Sequence, residues 1–406
     1  MPMNCRTFFF AGVAFLGVGC SHQQQVQTAS RALTIVAIGD GGERNRILRN
    51  NAALLKDMVA GKHDAGRPDA LIFLGDNFYE TGLNIPADEV ETKITDVLGP
   101  FQPVFEGLGR RHVHAIAGNH DYYARLVVDK SLLFGLINIQ VGPIGLSERG
   151  SERERAINSW SYYYRMPAAA TYPIAPGSAD SVQIIFYDSA LPLRTEPATW
   201  RPALDSLRRL LLVASHRSDV KWRILCQHHP WYSVGEHGGY TVWDDEALVV
   251  RPLSNCDKDS NVVRWFMNSI DPEDLCAPKY REMIDSLRSV LQYAGAKVHL
   301  VLSGHDHSLQ LLSRPPHTDD CPACPSVHVV SGAGSEETKV GFPSPPYDFT
   351  SPQQQEEGRS RSGFVQVRCE PERMGIRFFD SKTGEPLDMG GGRKEFWINR
   401  NGDLLP

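Results

Sequence analysis

Five short strings in this chain are rich in groups that bind metals or move protons. They are Gly39-Asp40-Gly41-Gly42, Gly75-Asp76-Asn77-Phe78-Tyr79, Gly118-Asn119-His120-Asp121, Gln227-His228-His229-Pro230 and Gly304-His305-Asp306-His307. Each follows an apolar, β-like run, so each sits on a loop just past a strand end. Loops of an α/β protein converge at the ends of its strands, and chemistry is built there. Carboxylates, imidazoles, an amide and a phenol brought to one place make a metal site.

The order and content of these loops resemble the calcineurin-like metallophosphoesterases, and within them the purple acid phosphatases of the small, tartrate-resistant type. The detail that points to the latter is a swap. Most relatives carry Asp-x-His in the first loop, and that His binds a metal. Here the third position is Gly42, which cannot ligate, and Tyr79 is placed to supply the missing ligand. The likeness runs from about Leu33 to Tyr240 and resumes near Lys279.

The resemblance implies two metal ions bridged by Asp76. Asp40, Tyr79 and His307 would hold one ion with it; Asn119, His228 and His305 would hold the other. The first set is anionic and oxygen-rich, which favours Fe(III). The second has two imidazoles and a neutral amide and suits Fe(II), Zn or Mn. The family pattern Val-x-x-His-x-Pro fits Leu225-Cys226-Gln227-His228-His229-Pro230 with His228 as ligand, and leaves His229 as a rim residue near the pocket.

Two more histidines read as catalytic. His120 follows Asn119, and Asp121 is placed to orient its ring. His237, in Tyr232-Ser233-Val234-Gly235-Glu236-His237-Gly238, is similar to a substrate-facing His of the tartrate-resistant group. The implied reaction is in-line attack of a metal-bound hydroxide on a phosphate monoester. The two histidines would donate to the phosphoryl oxygens, and one would protonate the leaving alkoxide. A phosphodiesterase using two divalent metals, and a surface-anchored binding protein with a decayed site, are the competing readings. Gly42 and Tyr79 argue against the first, and a full set of ligand types against the second. His112 and His114 alternate on one face of a strand, and His22, His63, His216, His299, His317 and His328 lie outside every motif.

The 406 residues are 41% hydrophobic, enough for a large core, and the ligands run from Asp40 to His307, which implies one domain. A net charge of -6 with no long basic run argues against nucleic acid as a partner; oligomeric state is not readable. Thr7–Val18 is an apolar stretch of signal-peptide length, and Leu16-Gly17-Val18-Gly19-Cys20 resembles a bacterial lipoprotein box. Residues 1–20 thus read as a lipoprotein-type signal peptide and 21–32 as a polar tether. A lipid on Cys20 would anchor the protein at a bacterial cell envelope, facing the periplasm or on the surface. Ordinary cleavage would instead leave a periplasmic or secreted enzyme. Beyond Cys5 and Cys20, six cysteines suit an oxidising compartment. Cys256 and Cys276 bracket one insertion and are a plausible pair. Cys321 and Cys324 read as a loop-closing disulfide, and Cys226 as a packed free thiol.

Strand-like runs cover Thr34–Ile38, Ala70–Leu74, Val113–Ala117, Val182–Tyr187, Arg223–Cys226, Lys297–Leu302, Ser326–Ser331, Gly363–Arg368 and Gly375–Asp380. Helical patterns cover Asn45–Val59, Pro202–His216 and Tyr280–Tyr293. This alternation suits the family's four-layer αββα sandwich, an α/β fold of two mixed sheets flanked by helices, over residues 33–390, with 391–406 as a tail. Gly142–Asn158 reads as an exposed loop. Thr241–Pro278 reads as an insertion, either a lid or peripheral. Ser344–Arg361 is polar, rich in Pro and Gln, and reads as mobile. If Cys20 is lipidated, full-length protein made in a bacterial host should partition with membranes, and Cys20→Ala should move it to the soluble fraction. Equal solubility of the two forms would remove the anchor.

Overall fold

A computed structural model describes residues 32–83, 85–122, 168–235, 237–238, 273–275, 277–313, 321–338, 349–351 and 361–405. The signal sequence, Cys20, the loop at 142–158 and the Cys256–Cys276 pair lie outside these residues.

Among the described residues the chain builds two mixed seven-stranded sheets. The first has β1 (Leu33–Ile38) beside β2 (Ala70–Phe73) and β3 (Val113–Ala115), all parallel. On its other edge β1 pairs antiparallel with a strand from near the C-terminus. The second sheet has β4 (Ala169–Pro173), β5 (Ser181–Phe186), β6 (Val220–Cys226), β7 (Leu300–Ser303), β8 (Leu309–Ser313), β9 (Val327–Ser331) and β10 (Phe349–Ser351), with β5, β6, β7 and β9 parallel. The strand beside β1 is β11 (Gly363–Cys369), followed outward by β12 (Arg373–Asp380), β13 (Phe396–Asn399) and β14 (Leu404–Leu405).

Alternation along the strands makes the layers. Leu33, Ile35 and Ala37 of β1 meet Val182, Ile184 and Ile224 of the other sheet in the central core, whereas Val36 and Ile38 face helices. Three helices cover that outer face: α1 (Arg46–Val59), α2 (Ala87–Leu98) and α3 (Gln102–Leu108), through Leu48, Leu55, Ile94 and Phe105. The short α4 (Ala190–Arg194) leads into α5 (Pro197–Ser215). Together with α6 (Pro278–Ala294), α5 buries Leu207, Leu211, Leu287 and Leu291 against Ile185, Leu225 and Val301. The order is helix, sheet, sheet, helix, the four layers expected from sequence.

Several ends differ. Asn45 is a cap rather than a helical residue, and its Oδ1 accepts from the Leu48 N–H at 3.1 Å. Helix α5 begins at Pro197, not Pro202, which falls in its second turn. A proline at the first position gives up no hydrogen bond, so Pro197 takes the role assigned to Pro202. Within the polar stretch read as mobile, Phe349–Ser351 pairs with β8. Residues 391–406, set apart as a tail, contain β13 and β14, which extend the first sheet. Cys321 and Cys324 form a disulfide, and Cys226 is a buried free thiol.

Candidate metal centre

All five loops lie past the carboxyl ends of parallel strands. Those after β1, β2 and β3 come from one sheet, and those after β6 and β7 from the other. They lock to each other through backbone: Asp40 N–H donates to Gly75 O at 3.0 Å, and Gly304 N–H to His228 O at 2.9 Å. The approach is close enough that a Cβ on Gly118 would sit 2.2 Å from Asp76 Oδ1. Asp40, Asp76 and His305 all take left-handed backbone, with φ of 57°, 49° and 73°. Non-glycine residues adopt this region at a cost, and it turns these side chains inward.

The two carboxylates are essentially out of solvent, Asp40 at 0% and Asp76 at 1% exposure. The Tyr79 hydroxyl lies 3.0 Å from Asp40 Oδ1, 3.3 Å from Asp76 Oδ2 and 2.9 Å from His307 Nε2. Asp76 Oδ2 is also 3.4 Å from His228 Nε2. That nitrogen is 2.8 Å from Asn119 Oδ1, which is 3.2 Å from His305 Nδ1. Asp76 therefore lies between two donor groups: Asp40, Tyr79 and His307 on one side, and Asn119, His228 and His305 on the other. The sequence placed the same seven residues together.

Each imidazole is held by its far nitrogen. His228 Nδ1 donates to Leu74 O at 2.8 Å and His305 Nε2 to Glu273 O at 3.2 Å. His307 Nδ1 faces Glu336 Oε2 at 3.1 Å. With those nitrogens donating, the inward ones present lone pairs toward Asn119 Oδ1, Asp76 and the Tyr79 oxygen. Lone pairs facing lone pairs call for a proton or a cation between them, and outer partners of this kind orient metal-binding histidines. Asp40, Asp76 and His228 can each bring a donor atom within 4.8 Å of the others, as can His228, His229 and His305. The donor set fits a pair of cations.

Protons take that place when no ion is bound. Burial acts to lower the His228 pKa, but the Asp76 charge and hydrogen bond outweigh it and raise it to about 9. For His307, burial is outweighed by Asp40 and Glu336, and the pKa rises to about 11. Burial and the neighbouring Asp40 and Asp76 charges push the Tyr79 phenol well above its ordinary value. Burial would raise Asp76, but His228 and His120 hold it below the usual carboxylate range.

Tyr79 and Gly42 exclude any side chain at position 42. A Cβ there would come within 2.7 Å of the backbone nitrogens of both Phe78 and Tyr79, and the Tyr79 N–H donates to Gly42 O at 3.2 Å. The backbone that brings the phenol in fills the space a residue-42 imidazole would need.

The two remaining sequence candidates border this cluster. The His120 ring packs edge-on to Tyr79, 4.6 Å between centroids, with Nε2 3.9 Å from Asp76 Oδ2. Its Nδ1 donates to Glu80 O at 2.8 Å, so Glu80 has the orienting role expected of Asp121. Asp121 instead accepts from Asn77 Nδ2 and Gly118 N, each at 2.8 Å, and braces the loops. The half-buried His237 ring lies 4.3 Å from that of His305, and its backbone N–H donates to Asp306 Oδ1 at 2.9 Å.

His229 is not on the rim. It is 0% exposed, its Nδ1 is 2.9 Å from Ser189 Oγ, and its Nε2 is buried with no hydrogen-bond partner among the described residues. Its ring lies 4.5 Å from His305. Ser189 already accepts from the backbone N–H groups of His228 and His229, at 3.1 and 2.9 Å, so its own proton goes to His229 Nδ1. Glu336, from a sixth loop after β9, and Ser189, after β5, lie outside every motif read from sequence.

The model of the calcineurin-like phosphoesterases matches residues 15–309. This chain belongs to that family. Among curated proteins, the phosphoesterase is 24% identical over 354 residues to purple acid phosphatase 3 of Arabidopsis thaliana, covering 86% of this chain and 74% of that one. Among solved structures it is similar to GAP50, the anchor in the inner membrane complex of Plasmodium, with a TM-score of 0.55 and 16% identity over 88% of this chain and 87% of that one.

If these imidazoles receive the metal, ions must displace protons. His228 and His307 are protonated at pH 7 in the metal-free phosphoesterase, as is the Tyr79 phenol. Metal uptake at pH 7 should release roughly two to three protons, and affinity should rise with pH through about 9, where His228 titrates, and on to at least about 11, where His307 does. Titration calorimetry in two buffers of different ionisation enthalpy reads this directly. Uptake with no proton release would exclude these side chains as ligands.

Proposed function

We propose that the protein is an acid phosphatase that hydrolyses phosphate monoesters at a binuclear centre, Fe(III) with Fe(II), Zn or Mn. The observation that carries this reading is Tyr79, whose hydroxyl lies within 3.3 Å of Asp40, Asp76 and His307, while the backbone around it closes off position 42. Asp40, Asp76, Tyr79 and His307 would hold the ferric ion, an anionic oxygen-rich set suited to a hard cation. Asp76, Asn119, His228 and His305 would hold the divalent ion. The distant likeness to a purple acid phosphatase supports the same assignment.

The bound pair supplies an activated water and offsets the charge of the phosphoryl oxygens. The chain's own groups do the rest. His120 and His237 flank the two donor groups and would donate to the phosphoryl oxygens, and one of them would hand a proton to the leaving alkoxide. Exported protein, lipidated at Cys20 or free in the envelope, is the setting we propose.

Tyrosinate bound to Fe(III) absorbs visible light through charge transfer from ligand to metal. Iron-loaded, oxidised protein should therefore be pink to purple and act on a panel of phosphate monoesters at acidic pH. Tyr79→Phe should lose the band while keeping part of its iron. A colourless wild-type protein that contains iron would reject the ferric assignment and favour a phosphodiesterase with two divalent metals.

His237→Ala should lower kcat/KM on the order of 10- to 1000-fold with both metals retained. An unchanged rate and pH profile would return His237 to an ordinary loop residue.

A further inference from the structure

Glu273 is buried against the proposed divalent half of the centre. Its Oε2 accepts from Asn119 Nδ2 at 3.0 Å, and its Oε1 is paired with Arg194 at the end of α4. Its backbone carbonyl accepts from His305 Nε2 at 3.2 Å. Two residues on, the Leu275 N–H donates to His237 O at 2.9 Å. Three site residues are thus held by one short stretch, 273–275, at the close of the segment read from sequence as a lid or a peripheral insertion.

The chemistry of Asn119 gives this contact a consequence. A side-chain amide has a donor end and an acceptor end, and nothing in its shape selects between them. An ionised carboxylate only accepts, so Glu273 must face the amide nitrogen, and Asn119 Oδ1 is left pointing at His228 Nε2 and His305 Nδ1. A buried carboxylate needs a counter-charge, which Arg194 provides; the two side chains are 7% and 23% exposed.

We infer that Glu273, neutralised by Arg194, is a positioning residue that fixes the Asn119 amide with its oxygen toward the divalent ion. The inference rests on the binuclear reading above and adds two residues that no motif contains. Among the described residues, Glu273 contacts the site side chains Asn119 and His305, both on the divalent side, so the effect should be selective.

The test is titration of metal-free protein with zinc, reading the number of ions and the affinity of each. Wild type should take up two. Glu273→Gln, which can present either amide end to Asn119, should weaken one ion by about 10- to 100-fold and leave the other unchanged. Arg194→Gln should weaken the same ion. Adding it to Glu273→Gln should cost little more, because the two act as one unit. The melting temperature of each metal-free variant shows whether the fold is intact. Equal weakening of both ions would mean general loosening, and unchanged affinity for both would mean no positioning role; either overturns the inference. Should wild type bind no ion, the binuclear reading fails and this inference with it.

Discussion

Two carboxylates, Asp40 and Asp76, are buried side by side where the sheets abut. Anionic oxygen removed from water at this spacing is unfavourable unless positive charge is supplied within a few ångströms. Much of the local structure answers that demand. His228 and His307 carry the charge as protonated rings, and the lone pairs of their inward nitrogens are released to a cation once the protons leave. The left-handed turns at Asp40, Asp76 and His305 are tolerated because the loops around them are cross-linked through backbone. The energetic cost of assembling the site is met by the body of the fold, whose central core and two helix-facing cores are continuous and apolar.

Neither sheet could do this alone. The first contributes the oxygen donors, through Asp40, Asp76, Tyr79 and Asn119; the second contributes the imidazoles His228, His305 and His307. Each donor group draws on both sheets, since His307 joins Asp40 and Tyr79 while Asn119 joins His228 and His305, and Asp76 stands between the two groups. The proposed pair of unlike metals would rest on the first group being anionic and oxygen-rich and the second having two imidazoles and a neutral amide.

Much of this was legible in the sequence because it is local. A strand followed by Gly-Asp, Gly-Asn-His or Gly-His-Asp-His announces both the loop and its donors, and the layered fold follows from where those strands fall. What was not legible depends on distance. Glu273 meets Asn119 across 154 residues, and its turn has no periodicity to mark it. Glu336 reaches His307 from a loop whose sequence, Gly332-Ala333-Gly334-Ser335-Glu336, reads only as a turn. His229 was assigned to the rim from a family position where another residue type is common. The apolar company of Leu225, Cys226 and Trp231 was the available signal that it is buried. Strands β13 and β14 were missed because they are short and lie beyond a run of three glycines.

The position of β1 has a consequence for how the molecule comes into being. β1 is made well before one of its two neighbours, β11, which lies more than three hundred residues later in the chain. Until residues 363–369 have emerged, one edge of β1 is an unpaired row of backbone donors and acceptors, and the loop carrying Asp40 is tethered on one side only. Such long-range closure is intrinsically slow. Asp40 thus sits on a strand whose sheet is completed only by residues that follow it by more than three hundred positions.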